Sequence, residues 1–534
     1  MEQAGMSEPT QPGPGARVVV VGAGFGGLAA AIRLARAGLS VTVIEAQAGP
    51  GGKARTLPSA AGPVDAGPTV LTLRAVFDDL FTLCGTRLED HATLIPQPLL
   101  ARHWWPDGSS LDLFSDAEAS ATAIAAFAGP REAAAFRRFH ALTARLYDAF
   151  EGPVMLSPRP DSAAILRAAL RDPGLWPALL PGMTLARLLR LYFRDPRLRQ
   201  LFGRYATYVG GTPSRSPAVL ALIWQAEARG VWAVQGGMHG LAQALAKLAA
   251  AQGVQFRYGT GVARIIWQGG RVSGVQLDDK RSLACDRVVF NGDPAALRAG
   301  LLGGGAKAAL PASAVTKRSL SAYVWAFAAR AEGLPLAYHN VFFAADPARE
   351  FGPIRRGTMP EDPTLYLCAE DRATGTVPQG AERFEIIMNG PPLRDGQPAP
   401  EEDSKCHSRT FPPLARFGLT FTPTPDTRSL TTPQGFARAF PGSQGALYGL
   451  SPEGMMAAFH RPGAKTLLPG LYLAGGGAHP GAGVPMAALS GKHAAGAMLA
   501  DLALPSKSAP TAMPGGMSMV SRMTGGGRSR SSGS

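Results

Sequence analysis

Arg17-Val18-Val19-Val20-Val21-Gly22-Ala23-Gly24-Phe25-Gly26-Gly27 (RVVVVGAGFGG) joins a β-branched run to a glycine-rich turn. Four consecutive valines suit a short strand buried on both faces. The turn fits G-x-G-x-x-G: Gly22 permits the tight turn, Gly24 lets backbone approach a pyrophosphate, and Gly27 lets helix and strand pack closely. An alanine-rich helix follows to about Ala37, and Gly38 ends it as a C′ glycine. Leu39–Glu45 (LSVTVIE) reads as the next strand. Glu45 closes it 18 positions after Gly27, where a carboxylate accepts hydrogen bonds from ribose hydroxyls. Strand, triplet, helix, strand and terminal acid in register predict a dinucleotide-binding βαβ unit, with phosphates at the helix N-terminus. That unit by itself leaves NAD and FAD open.

The continuation distinguishes them. After Glu45 come five residues and then Gly51-Gly52-Lys53-Ala54-Arg55. Further on stand Val64-Asp65-Ala66-Gly67-Pro68-Thr69, Gly236-Gly237-Met238 before a helix, and Gly261-Val262-Ala263 before a hairpin at Gly269-Gly270. Arg287-Val288-Val289-Phe290-Asn291-Gly292-Asp293-Pro294 and Leu471-Tyr472-Leu473-Ala474-Gly475-Gly476-Gly477-Ala478-His479-Pro480-Gly481 complete the set.

Together these resemble the FAD-binding signature shared by amine oxidases, protoporphyrinogen oxidases, Rab GDP-dissociation inhibitors and phytoene-desaturase-type enzymes. The likeness spans about residues 17 to 499. It implies FAD held by Gly22, Ala23, Gly24, Phe25, Gly26 and Gly27, with Glu45 and Ala46 at the ribose. Gly52 and Lys53 then meet the diphosphate, a cation against two phosphates. Gly67 belongs to the stretch that approaches the flavin ring in carotenoid desaturases. Val262 pairs its backbone with adenine in relatives, and Gly475, Gly476 and Met486 belong to the C-terminal segment. His479 is the candidate polar group near the flavin, with a structural role bonding the turn as the alternative. His239 is expected to serve the helix start.

Two departures narrow the group. Many flavoproteins carry G-D in the last motif, whereas Gly476 follows Gly475 here, and carotenoid desaturases often lack that aspartate too. Amine oxidases commonly tether FAD through a cysteine near that motif, but no cysteine follows Cys406, so non-covalent FAD is expected. The stretches Gly62–Thr72, His339–Ala345, Tyr366–Arg372 and Glu385–Pro391 resemble the 1-hydroxycarotenoid 3,4-desaturases. The resemblance implies desaturation of an acyclic 1-hydroxy or 1-methoxy carotenoid at C3–C4; phytoene desaturase is the alternative, then an amine or porphyrinogen oxidase. A flavin-free inhibitor-like binding protein fits less well, since every phosphate-approach glycine is kept.

The expected fold class is α/β: a Rossmann-like FAD-binding unit interleaved with a mixed α+β substrate domain and a helical membrane-facing region. The organisation reads as a disordered leader over 1–15 and FAD-binding parts over 16–115, 236–300 and 466–503. A helical region over 116–235, a substrate domain over 301–465 and a disordered basic tail over 504–534 complete it. No internal repeat is visible.

At 534 residues the chain is long enough for two to four units, and 46% hydrophobic residues suffice for sizeable cores. The 53 basic and 39 acidic residues leave +14, but the basic residues are scattered without an aromatic-interleaved motif, so nucleic acid is not expected as a partner. Cys84, Cys285, Cys368 and Cys406 form no C-x-x-C pair, which argues against a redox dithiol or a zinc site; no metal is expected. No secretory signal is read at the start, and the apolar run from Val18 stops at Arg33, short of the ~20 residues of a span. A cytoplasmic protein, peripheral on the inner face of a membrane, is therefore expected. Its surface segment is Leu175–Phe193 (LWPALLPGMTLARLLRLYF), apolar, proline-broken and interleaved with Arg187 and Arg190. Core packing of the same segment is the alternative.

Overall fold

A computed structural model describes residues 15–394, 402–454 and 457–503. The expected 1–15 leader (Gly15 apart) and the 504–534 tail lie outside the described residues.

The strand Arg17–Val21 is the centre of a five-stranded parallel sheet. Its neighbours are Ser40–Ile44, with Val18 opposite Val41, and Arg287–Phe290, with Val18 opposite Arg287. Leu471–Leu473 and Gln255–Arg257 close the two edges. The sheet is thus assembled from three distant parts of the chain. Val18, Val19 and Val20 are buried on both faces, and each contributes ~1.5–3 kcal/mol by leaving water. The helix Phe25–Arg36 ends in a last turn carrying Arg33 and Arg36, beside carbonyls that favour cations. Gly38, at φ +86°, then turns the chain into the next strand.

The helix Phe25–Arg36 packs on the helix Val484–Ala503 at backbone contact distance. A Cβ on Gly491 would stand 2.2 Å from the Gly26 carbonyl oxygen. Small residues at this crossing let the C-terminal segment lie against the nucleotide turn.

Val262–Gln268, Arg271–Leu277 and Ser282–Ala284 form a separate antiparallel sheet, turned at Gly269 and Gly270, both with positive φ. The third sheet is larger. Its order is Thr420–Thr422, Ser321–Glu332, Glu382–Gly390, Leu365–Ala369, His339–Phe342, Leu99–Trp104 and Ser110–Phe114, with Leu430–Thr431 paired to Ser321–Glu332. One face buries Trp325, Phe327, Phe384 and Ile386 in an aromatic-rich core. Period-two alternation turns Val324, Tyr366 and Ile387 to the other face, over a cavity.

The stretch 99–114 corrects the sequence reading, which assigned it to the nucleotide unit. Asn340, Val341 and Phe342 pair in parallel with Arg102, His103 and Trp104, so these strands complete the large sheet instead. Within the helical region, Trp232–Val234 is a strand paired to Leu94–Pro96. The rest of 116–235 is mainly helical, as expected. It is organised around Phe136, Phe139, Phe193, Phe202 and Trp224, with Phe193 and Phe202 stacked at 5.1 Å. Among the described residues no helix is long and apolar enough to cross a membrane.

Candidate active site

Three glycine segments converge at the head of the Phe25–Arg36 helix. The Gly51 N–H donates to the Ala23 carbonyl at 2.9 Å, and Gly24 and Gly51 form an isolated parallel bridge. A Cβ on Gly26 would lie 2.5 Å from the Gly475 nitrogen, and one on Gly27 only 2.1 Å from the Gly22 oxygen. Asn291 ties the cluster together: its Nδ2 donates to the Gly22 carbonyl at 3.1 Å, while its buried Oδ1 has no partner.

Glu45 lies just beyond its strand and is 7% exposed. One carboxylate oxygen accepts the Ala23 N–H at 2.6 Å and the other the Gln47 N–H at 2.9 Å. Those bonds hold the carboxylate at the cavity wall without exhausting its lone pairs. Ala46 and Val262 line the same end.

The Val64–Thr69 stretch is locked from both sides. Asp65 accepts the Met238 N–H at 2.6 Å at the start of the Gly237–Ala251 helix, and burial raises its carboxyl to about 6. Gly237 must be glycine: at φ +76° its Cβ would stand 2.4 Å from that carboxylate. A Cβ on Gly67 would lie 2.0 Å from the Lys53 carbonyl, so this stretch touches the glycine doublet directly. His239 bonds the Ala54 carbonyl at 3.0 Å through Nδ1, a structural role at the helix start.

The glycine segments, Glu45, Gly67 and Asn291 border a cavity of about 1110 Å³. It begins at Gly22, Gly24, Glu45 and Ala46, passes Gly52, Lys53 and Gly67, and is closed by Gly475 and Gly476. It then continues under the large sheet, along Val324, Tyr366 and Ile387, to Leu189, Arg204 and Ile223 of the helical region. One end is a polar, glycine-lined cradle and the other is largely apolar. The orphaned Asn291 oxygen and the glycine-sized clearances fit a dinucleotide cofactor at the first end.

Several expected residues sit elsewhere. Phe25 and Gly26 line the cavity, but Ala23 and Gly27 support it from behind. Met486 is half-buried in the first turn of the C-terminal helix, whose Pro485 and Ala487 border the cavity in its stead. The Lys53 ammonium donates to the Leu447 carbonyl and stands 5.6 Å from the Phe440 ring centroid. Burial lowers it to about 8.

His479 corrects the expectation of a catalytic group. Its imidazole is buried away from the cavity wall, with Nε2 at 2.9 Å from the Ser157 carbonyl and the ring stacked on His493. Burial lowers its pKa, and the turn around it bends toward the 151–157 segment. We assign it no catalytic role.

Sequence reasoning missed a polar chain on the sheet side. The Thr69 hydroxyl is 2.6 Å from the Tyr366 hydroxyl, which is 2.6 Å from His339 Nδ1. It also missed Glu350, whose carboxylate accepts from Thr364 Oγ1 at 2.7 Å and Asn389 Nδ2 at 3.0 Å; burial raises it to about 7. Tyr366 and His339 stood in quoted stretches, but no local spacing marks partners so distant in sequence. Among the described residues no group of three or more His, Cys, Asp or Glu side chains could hold a metal ion.

A glycine cradle of this kind, opening on an apolar cavity, defines a flavoprotein oxidoreductase. Residues 25–321 match the family described as flavin containing amine oxidoreductase. The hydroxyneurosporene desaturase of Cereibacter sphaeroides is 69% identical to the chain, covering 91% of it and 98% of the relative. That of Rhodobacter capsulatus is 60% identical with the same coverages, 91% and 98%. A solved structure of putrescine oxidase bound to putrescine shares the fold, with a TM-score of 0.56 and 16% identity over 91% of this chain and 99% of that one. The chain belongs to the flavin containing amine oxidoreductase family and, within it, to the carotenoid desaturases. It is an oxidoreductase with a flavin cofactor.

Proposed function

We propose that the chain introduces a C3–C4 double bond into an acyclic 1-hydroxy or 1-methoxy carotenoid, using non-covalently bound FAD. The observation that carries this is the continuity of one cavity from the glycine cradle to apolar helices, in a chain 69% identical to a hydroxyneurosporene desaturase.

A bound FAD would supply a two-electron acceptor for hydrogen leaving a C–H bond. The chain's residues do the rest. Gly22 and Gly24 would admit the diphosphate while Gly26 closes on Gly475, Glu45 would receive ribose hydroxyls, and Gly52 with Lys53, its ammonium turned from the Leu447 carbonyl, would meet the phosphates from the second segment. Gly67, Gly475 and Gly476 bring backbone to the ring system, and Val262 to the adenine. No cysteine lines the cavity among the described residues, which supports non-covalent binding. Leu189, Ile223, Val324 and Ile387 would hold the polyene and exclude water. The first C–H needs no side-chain base of ordinary strength, and the neighbouring proton, made acidic by the cation delocalised over the polyene, would pass to water or a weak base, so a site without an acid–base triad is adequate.

A polyene this long comes from a bilayer, and we place the contact on the helical region. In the 175–193 segment Leu175, Leu185, Leu188, Leu189 and Phe193 are buried, while Trp176 and Leu191 are 51% and 66% exposed beside exposed Arg187 and Arg190. Leu189 and Arg190 also border the cavity, so the same segment serves the core, the cavity wall and the surface. Exposed apolar residues among arginines suit the face of an anionic membrane. The inner, cytoplasmic face is the one this reading expects.

The test is co-expression in cells making neurosporene, with and without 1-hydroxylation, followed by pigment identification. A new C3–C4 double bond only in the hydroxylated background supports the proposal. Consumption of phytoene alone would replace it with phytoene desaturation.

A further inference from the structure

We propose that Thr69, Tyr366 and His339 form a hydroxyl-recognition site that selects the 1-hydroxylated end of the substrate and sets which bond is desaturated; this rests on the function proposed above.

The geometry is a hydrogen-bonded chain with unused capacity at both ends. Tyr366 OH lies 2.6 Å from Thr69 Oγ1 and 2.6 Å from His339 Nδ1. Burial holds the His339 imidazole neutral, its pKa near 3, so it carries one N–H and one acceptor nitrogen. If Tyr366 donates to His339, then Thr69 donates to Tyr366 and keeps lone pairs to accept. If His339 donates to Tyr366, the chain runs the other way and Thr69 keeps its proton to give. Thr69 is buried at the cavity wall, and Tyr366 lines the cavity with it. An alcohol is both donor and acceptor, so it completes either arrangement. Hydrocarbon against Thr69 would leave that capacity unused, at a cost.

The surroundings are short of partners in the same place. His339 Nε2, His103 Nε2 and Arg204 Nε are all buried without a hydrogen-bond partner. The Arg204 guanidinium acts electrostatically on both imidazoles, and it borders the cavity itself. Behind the cavity wall at Tyr366, buried polar atoms thus outnumber their partners.

Position makes this cluster the selective one. C1 is separated from the C3–C4 bond by a single carbon, so a group that reads the hydroxyl must sit beside the cofactor ring. Thr69 is two residues from Gly67, whose backbone abuts Lys53 of the glycine doublet. Glu350, Thr364 and Asn389 form another polar cluster on the cavity, but Thr364 lies two residues before Tyr366, just outside its strand, ~7 Å further along the chain. A hydroxyl held there would bring a different bond to the ring.

The experiment compares kcat/KM for 1-hydroxyneurosporene and neurosporene in wild type, Tyr366→Phe and Thr69→Val, with flavin content read from the visible spectrum. Wild type is expected to favour the hydroxylated substrate. Each variant should reduce that preference about 3- to 10-fold, through a raised KM for the hydroxylated substrate alone, the loss of one hydrogen bond. A purely structural role would change both substrates alike and leave the ratio intact. An unchanged ratio in a flavin-containing variant overturns the site. Should Tyr366→Phe lose flavin, the near-isosteric Thr69→Val decides. A wild type inactive on 1-hydroxyneurosporene would instead overturn the proposed function, and this site with it.

Discussion

Gly26 and Gly475 meet so closely that a Cβ on the former would lie 2.5 Å from the amide nitrogen of the latter. The contact joins the first nucleotide turn to the C-terminal motif and closes the cradle. Gly24 differs, because its φ of −74° is ordinary and an added Cβ meets only the Asn291 amide at 3.0 Å. The two glycines are therefore constrained for separate reasons, one by packing and one by the space a cofactor needs.

Gly26→Ala is expected to fail in folding, with little soluble protein. Gly24→Val should fold with a near-wild-type circular dichroism spectrum yet purify colourless. A yellow Gly24→Val protein with stoichiometric FAD would place the cofactor elsewhere.

Lys53 is expected to give FAD affinity a pH dependence. Its ammonium, lowered by burial to about 8, is protonated below that pH and would exchange the Leu447 carbonyl for an anion. Binding a diphosphate raises the pKa, so affinity is constant below pH 8 and falls above it as the free protein loses the proton. In reconstitution titrations of deflavinated protein, wild type should lose affinity between about pH 8 and 9. Lys53→Met should bind more weakly and show no such slope. Parallel curves would mean that Lys53 serves only Leu447 and Phe440.

Glu350 gives stability a pH dependence in the same direction. Burial raises its carboxyl from 4.5 to about 7, so the folded chain retains a proton that the unfolded chain gives up. The contribution is fully present below pH 4.5 and is lost as pH rises through 7, at most about 3 kcal/mol. Asp65, raised to about 6, adds a slope of the same sign to any variant. Thermal melts at pH 5 and 8 should therefore show a smaller fall for Glu350→Gln than for wild type. An equal fall would show that Glu350 does not carry this proton.

Much of the cradle was legible because its constraints are local. A strand, a turn and a helix start must follow one another, so Arg17–Gly27, Gly51–Gly52 and Gly475–Gly476 announce themselves by composition. Partners joined only by the fold were not legible. Asn291 was read as part of a motif, yet its contacts with Gly22 and Gly24 appear only once Arg17–Val21 and Arg287–Phe290 pair. The Thr69–Tyr366 bond spans 297 positions and leaves no periodicity. His479 misled for the converse reason: its motif borders the cavity at Gly475–Gly477, but the turn then carries the imidazole to Ser157. The strands Leu99–Trp104 and Ser110–Phe114 were misplaced because an alternating pattern names a strand without naming its sheet.

At the surface, Trp176 and Leu180 are the residues to remove. Both are exposed, whereas Leu175 just before them and Ala178 between them are buried. The double variant Trp176→Ser, Leu180→Ser should keep its flavin and lose flotation with anionic liposomes, to which wild type binds and from which salt releases it only in part. Wild-type flotation by the variant would move the contact elsewhere. Aggregation with loss of flavin would assign these side chains to the core.

The most direct measurement mixes purified, oxidised enzyme with 1-hydroxyneurosporene in anaerobic detergent or liposomes and follows both chromophores. The account predicts that flavin absorbance near 450 nm bleaches in a single turnover, as about expected for a two-electron acceptor. The carotenoid bands should shift to the red together with it, and the product should carry a new C3–C4 double bond. Bleaching by a primary amine such as putrescine with none by the hydroxycarotenoid, or a carotenoid product altered at another bond, would contradict it.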